Sequence, residues 1–217
     1  MGIAEQLSDL SQSIIDGRET AAATLAQQLL AEGVDPRMII DDGLMAGMDV
    51  VGKQFKDRLM FLPQVLVSAR AMKTVMGILE PLLAASSYRP KGKILLGTVK
   101  GDIHDIGKNL VGVMLSGAGY KVVDIGVGCT ADQFVQAYQS HQPDIVGLSA
   151  MLTTTMMNMK TVVDRFKQVP INVPVIVGGA PVTSRFAEEI GASGSARNAA
   201  QAVDLVRSLL DGKSVST

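Results

Sequence analysis

The sequence predicts an α/β protein, a helices-only stretch followed by a run in which strand and helix patterns alternate. Three observations carry that prediction. Residues 3–87 place apolar side chains at helical spacing and show no strand pattern. Residues 89–217 hold short, β-branched apolar runs separated by amphipathic stretches. Between them, Ser86-Ser87-Tyr88-Arg89-Pro90-Lys91-Gly92 is polar and carries Pro and Gly, so a domain boundary is expected at 88/89.

In the first part, Leu7, Leu10, Ile14 and Ile15 recur at helical spacing until Gly17 ends the segment. A second helix, about 19–31, is rich in Ala and Leu and stops at Gly33. Asp35-Pro36 reads as an N-cap followed by proline at the first helical position. It opens a long helix through Met38, Ile39, Leu44, Met48 and Val51 to about Lys56. A fourth starts near Leu62-Pro63 and runs through Val65, Leu66, Ala69, Met72, Val75, Met76 and Leu79. Four antiparallel helices with short loops make a small bundle. The connection 51–63 is unusually apolar for a loop. For Met60 and Phe61 the expectation is packing between bundle helices.

In the second part, strands are predicted at 93–99, 121–125, 145–149 and 173–177, with a short fifth at 192–196. Helices are predicted at 106–118, 131–140, 156–168, 184–190 and 198–210. Alternation at these lengths implies a parallel sheet with right-handed crossovers. Five such units suit a flavodoxin-like, Rossmann-like order, whose ligands sit at the carboxyl ends of the strands.

The most informative stretch follows the first strand and reads Gly97-Thr98-Val99-Lys100-Gly101-Asp102-Ile103-His104-Asp105-Ile106-Gly107-Lys108. Asp102 and His104 stand two apart in an extended turn, so both side chains can point to one side. A carboxylate that accepts Nδ1–H fixes the imidazole tautomer, leaves Nε2 free for a metal and makes that nitrogen a better donor. The plainer alternative is that His104 caps the following helix and Asp102 is its surface partner. After the third strand comes Ser149-Ala150-Met151-Leu152-Thr153-Thr154-Thr155, and after the fourth Gly178-Gly179-Ala180-Pro181. Singly, hydroxyls cap helices and Gly-Gly makes a turn. Together at one sheet edge they make a polar slot with room for a large ligand.

Bulk properties narrow the class. With 20 basic and 21 acidic residues in 217, the charge gives no case for nucleic acid. The single cysteine, Cys129, excludes an internal disulfide framework and is assigned no catalytic role. No signal peptide and no long apolar span is apparent, so a soluble, cytoplasmic protein with no membrane contact is expected.

Asp102-x-His104-x-x-Gly107 closing the first strand resembles the signature of cobalamin-binding domains, in which this His replaces the cofactor's own base beneath cobalt. The resemblance extends over nearly the whole chain. It points to corrinoid proteins of methyltransferase systems, similar to the cobalamin module of methionine synthase and the small corrinoid proteins of methylamine and methanol metabolism. It implies cobalamin as cofactor and His104 as the metal ligand. Loop residues Gly101, Asp102, Ile103, His104, Asp105 and Gly107 would contact the cofactor, as would Met151, with Ser149 and Thr153 on its buried nucleotide tail. Thr155 would hydrogen-bond Asp102, Gly178 and Gly179 would line the tail, and Ala199 would lie near its far end. Phe55 and Leu62 would shield the upper face of the corrin. The sequence departs from the family in four places: Met151 stands for the usual Leu, and Lys56-Asp57-Arg58 for acidic residues. In addition, 191–196 lacks the usual Asp and aromatic, and Cys129 lies where many relatives have Asp-Val-Pro.

The implied function is a methyl carrier, the corrinoid subunit of a methyltransferase system and not a complete enzyme, with Asp102, His104 and Thr155 as the functional triplet. Its implied partners are a substrate-specific methyltransferase, a second methyltransferase serving an acceptor such as coenzyme M or tetrahydrofolate, and a reductive activase. The helical bundle would act as a movable cap hinged near 86–92. Two rivals remain: a cobalamin-dependent sensor, for which no basic recognition helix appears, and a cofactor-free flavodoxin-like interaction module with a structural His104. An adenosylcobalamin mutase subunit is disfavoured by Phe55 and Leu62.

Overall fold

The computed structural model describes residues 2–83 and 89–214, with side chains as far as Gly212. Residues 84–88, just before the expected boundary and part of the expected hinge, lie outside the described residues. The chain divides into two compact units, one of residues up to Arg89 with Gly117–Gly119, the other of Pro90–Ser116 and Tyr120 onward.

The first unit is helical. Its elements are α1 (Ile3–Ile15), α2 (Glu19–Ala31), α3 (Pro36–Met38), a π-helical segment (Ile39–Met45), α4 (Ala46–Lys56) and α5 (Leu62–Leu83). The Asp35 side chain accepts the Arg37 amide at 2.9 Å with Pro36 in the first turn, the cap read from the sequence. The long third helix differs from expectation in its middle, where the backbone is π-wound. The apolar spacing supplies the reason. Ile39 and Leu44, like Ile40 and Met45, are five residues apart and all four are buried, a spacing that i→i+5 winding aligns on one side. Gly43 and Gly47 sit against α1, where an added Cβ would lie 2.7 Å from Leu10 and 2.8 Å from the Ser11 carbonyl. The core gathers Leu10, Ile14, Leu29, Ile39, Leu44, Val65, Val75 and Leu79, all fully or almost fully buried.

Met60 is buried as expected, but Phe61 is 67% exposed, which corrects the expectation that it packs between helices. Its amide donates to the Gln64 side chain at 2.9 Å in the turn that opens α5, which leaves the ring outside. Phe55 and Leu62 are each half-buried.

The second unit is the alternating part: β1 (Lys93–Thr98), α6 (Ile106–Gly117), β2 (Lys121–Asp124), α7 (Ala131–His141), β3 (Ile145–Ser149), α8 (Thr153–Lys167), β4 (Val175–Gly178), α9 (Ser184–Ile190), β5 (Gly194–Ala196) and α10 (Ala199–Ser214). All pairings are parallel, in the order β2-β1-β3-β4-β5. That is the flavodoxin-like order, and it puts a reversal of winding between β1 and β3. The central strands are buried along almost their whole length, as sheets covered on both faces are. Apolar residues of β1, β3 and β4 close one core with Phe134, Met159, Val162, Val163, Phe166 and Phe186. Several boundaries shift: β5 starts at Gly194 where 192 was expected, and α10 ends at Ser214 where 210 was expected. The fourth strand starts at Val175 because Pro174 has no amide to donate, only a carbonyl that accepts Val146 N at 3.0 Å. The third helix of this unit starts at Thr153, so the hydroxyl run forms its first turn.

Candidate functional site

The winding reversal brings the ends of β1 and β3 side by side, with Thr98 opposite Ser149 in the register. Ligands of such sheets bind at this crevice, beyond the carboxyl ends of the strands. Past Thr98 the chain leaves the sheet through Val99, whose amide still bonds the Ser149 carbonyl at 3.0 Å, and turns at Gly101 with φ +82°. Only a residue without a Cβ takes that angle without strain. The turn delivers Asp102 inward and His104 outward.

Asp102 is 1% exposed, which removes the reading of it as a surface partner. Its Oδ1 accepts Nδ1 of His104 at 2.7 Å and the His104 amide at 3.0 Å. Its Oδ2 accepts the Thr155 hydroxyl at 2.6 Å and the Met151 amide at 2.8 Å. Burial by itself raises the pKa of this carboxyl. The four hydrogen bonds outweigh that cost and hold it well below the usual carboxylate range, so it is ionised. The Thr155 hydroxyl also lies 3.0 Å from the Leu152 carbonyl. One proton serves one acceptor, and the shorter, charge-assisted bond to Asp102 takes it.

An ionised carboxylate at Nδ1 keeps the proton on that nitrogen and leaves Nε2 with its lone pair on the opposite edge of the ring. About half of the His104 side chain is exposed, so that edge is open. Around it stand large apolar side chains that point outward: Ile103 at 79% exposure, Ile106 at 71%, with Met151, Leu152 and Val127 also exposed. An apolar rim around one open nitrogen and a deeper polar cluster suits a large, mostly apolar ligand that carries a metal. Among the described residues no group of three or more His, Cys, Asp or Glu could hold a metal ion by itself. A lone imidazole suits a metal that arrives already held in a macrocycle.

The remaining expected residues fall on the same strand-end edge. Ser149 is half-buried, Thr153 is exposed in the first turn of α8, Gly178 ends β4 and Gly179 follows it. Ala199 opens α10 and is buried. Asp105 is exposed and accepts the Asn109 side chain at 3.0 Å. Gly179 has a reason of its own to be glycine: φ is +133°, and a Cβ would stand 1.8 Å from the Ala150 carbonyl oxygen. Gly107 has none, since a Cβ there would meet nothing within 4 Å. Phe55 and Leu62 belong to the other unit, on α4 and at the start of α5.

The sequence reading missed the loop's supports. Thr98 donates its hydroxyl to the His104 carbonyl at 3.0 Å, and Gly128 donates its amide to the Asp102 carbonyl at 3.0 Å. Asn158 on α8 reaches the Lys100 carbonyl at 2.8 Å. Lys108, buried in the first turn of α6, pairs with Asp124 and bonds Asn109 Oδ1 at 2.9 Å. A polar residue ending an apolar strand was a visible signal for Thr98; the others depend on long-range contacts that no local pattern marks. Cys129 is buried, and burial, reinforced by Asp124 and opposed by Lys108, pushes its thiol pKa up, consistent with an inert side chain.

Comparison with known proteins agrees with this chemistry. Residues 92–204 match the model of a B12 binding domain, and residues 6–80 match a second model of the same description. The chain belongs to the B12-binding corrinoid proteins, and its cofactor is a cobalamin. It is 46% identical to a corrinoid protein of Desulfitobacterium hafniense, over 94% of this chain and 97% of that one. It is 40% identical to trimethylamine corrinoid protein 1 of Methanosarcina acetivorans, over 95% of this chain and 97% of that one. Among solved structures it superposes on a chain of the methanol:cobalamin methyltransferase complex MtaBC of Methanosarcina barkeri. That match has a TM-score of 0.90 and 31% identity, over 97% of this chain and 81% of that one. A cobalamin-binding protein of Desulfitobacterium hafniense matches with a TM-score of 0.75 and 28% identity, over 94% and 98%. Among the described residues no helix is long and apolar enough to cross a membrane.

Proposed function

We propose that the protein is a methyl carrier in a methyltransferase system, with His104 Nε2 as the lower axial ligand of the cofactor's cobalt. The observation that carries this is the buried, ionised Asp102 holding Nδ1 of a half-exposed His104 at 2.7 Å, which leaves the opposite nitrogen free. When bound, the cofactor supplies a cobalt centre able to take up and give away a methyl group. The protein's own residues do the rest. Asp102 keeps the proton on Nδ1 and strengthens Nε2 as a donor. Thr155 and the Met151 amide hold Asp102 ionised and fixed in place. Gly101, Ile103, Asp105 and Gly107 shape the loop surface on which the cofactor rests, and Ser149, Met151, Thr153, Gly178, Gly179 and Ala199 line the slot for its tail. Phe55 and Leu62 on the helical unit shield the reactive side.

The partners that fit are a substrate-specific methyltransferase, a second methyltransferase that passes the group to an acceptor such as coenzyme M or tetrahydrofolate, and a reductive activase. The relatives' names support the first, since one of them is a component of a methanol:cobalamin methyltransferase complex and another serves trimethylamine. The residue boundary at 88/89 and a cytoplasmic setting belong to the same reading.

Electron paramagnetic resonance of the protein reconstituted with hydroxocobalamin and reduced to the Co(II) state tests the ligand. The wild type should show splitting from one nitrogen, altered by 15N-histidine labelling, and His104→Ala should lose it. An unchanged splitting in His104→Ala would remove His104 from the metal.

A further inference from the structure

His104 leans on a single atom. Its ring Nδ1 and its own amide lie 2.7 Å and 3.0 Å from the same Oδ1 of Asp102. Two bonds that converge on one acceptor fix a distance, but they leave the residue free to pivot about that oxygen. The remaining handle is the His104 carbonyl, and the hydroxyl of Thr98 donates to it at 3.0 Å.

Thr98 is itself immobilised on every side. It is completely buried at the end of β1, its amide donates to the Gly126 carbonyl at 3.0 Å, and its carbonyl accepts the Cys129 amide at 2.9 Å. Just before it, Gly97 packs so closely that a Cβ would stand 2.6 Å from the Phe134 ring. With its backbone spent on neighbouring segments, the hydroxyl has one acceptor, the carbonyl of residue 104. A buried strand would accommodate Val as readily as Thr, and Val would bring no polar group to satisfy. Strand formation alone therefore gives no reason for a hydroxyl at this position.

We propose that Thr98 is a positioning residue whose hydroxyl, by holding the His104 carbonyl, removes the pivot and sets the direction in which Nε2 presents its lone pair. This rests on the reading of His104 as the cobalt ligand. Thr98 acts through His104 and makes no contact with the cofactor.

The test uses the full chain as Thr98→Val, which keeps the shape, and Thr98→Ser, which keeps the hydroxyl. In the cofactor-free protein, amide hydrogen exchange followed by NMR should show the His104 amide exchanging about five- to tenfold faster in Thr98→Val. Amides of residues 94–97 in β1 should stay at wild-type rates, and Thr98→Ser should restore His104. In the reconstituted Co(II) protein, Thr98→Val should weaken and broaden the nitrogen splitting, and Thr98→Ser should recover it. Wild-type exchange and wild-type splitting in Thr98→Val would overturn the proposal. So would equal impairment of both variants, or acceleration spread along all of β1, since either would make Thr98 a packing residue only. Retained splitting in His104→Ala would instead overturn the ligand assignment, and the exchange measurement separates the two because it needs no cofactor.

Discussion

Thr155 donates its hydroxyl to Oδ2 of Asp102 at 2.6 Å, across 53 residues of chain. Asp102 sits in the loop after β1 and Thr155 in the first turn of α8, so this bond ties together the two strand ends between which the sheet reverses its winding. The same carboxylate carries His104 on its other oxygen. A single buried anion therefore couples the wall of the crevice to the group that faces outward.

Removing the charge should show as pH-dependent stability. The folded-state pKa of Asp102 lies below its ordinary value of 3.8, so its contribution is present above that value and lost as pH falls below it. At pH 7, Asp102→Asn should cost about 2–3 kcal/mol in denaturant unfolding of the cofactor-free protein. The gap between variant and wild type should narrow as pH is lowered below 3.8. A gap constant from pH 7 to pH 3 would mean that shape and not charge is at stake.

Thr155→Val keeps the volume and deletes the donor. It should cost about 1–2 kcal/mol, because a hydrogen bond to a charged, buried group is lost. In a double-mutant cycle with Asp102→Asn the two costs should fall short of additivity by about 1 kcal/mol or more. Strict additivity would show that the 2.6 Å contact contributes no coupling.

Two glycines should respond in opposite ways. Gly179→Ala forces a Cβ to within 1.8 Å of the Ala150 carbonyl oxygen at a φ of +133°, so it should destabilise the fold by about 3 kcal/mol or more. Gly107→Ala meets open space in the first turn of α6 and should leave Tm within a few degrees of wild type. Under the proposed function it should still weaken hydroxocobalamin binding, measured by absorbance titration, because the space belongs to the cofactor. Normal affinity in Gly107→Ala would take residue 107 out of the binding surface.

Phe55→Ala addresses the proposed shield. Methylcobalamin bound to this variant should photolyse faster than on the wild type, while the nitrogen splitting of the Co(II) form stays unchanged. Equal photolysis rates in matched light would remove Phe55 from that role.

Much of this was readable in one dimension. The period of the apolar residues separates the helical unit from the alternating one, and every strand and helix of the second unit lies within three residues of its expected bounds except at the end of α10, which runs on to Ser214 from an expected 210. Asp102 and His104 are close in sequence, so a carboxylate–imidazole pair could be inferred from spacing in an extended turn. Thr155 could be named only by resemblance, since no local rule brings a helix hydroxyl to a carboxylate 53 residues away. The π-wound segment at 39–45 escaped because buried pairs five apart mimic a slightly irregular α-helix. Phe61 escaped because an aromatic between two helices looks like core until the turn that opens α5 leaves it outside.

The sequence by itself determined the fold class, the strand order class and the chemistry of the loop, because each rests on short-range periodicity, turn residues and neighbouring side chains. Only the tertiary structure decided that Asp102 is a buried anion with four donors and that Thr98 holds the His104 carbonyl. It also decided that Gly179 is required by the backbone while Gly107 is not. Those facts arise from chain segments that meet only when the sheet closes, and hydrogen bonds and steric limits between distant segments leave no periodic trace in the order of residues.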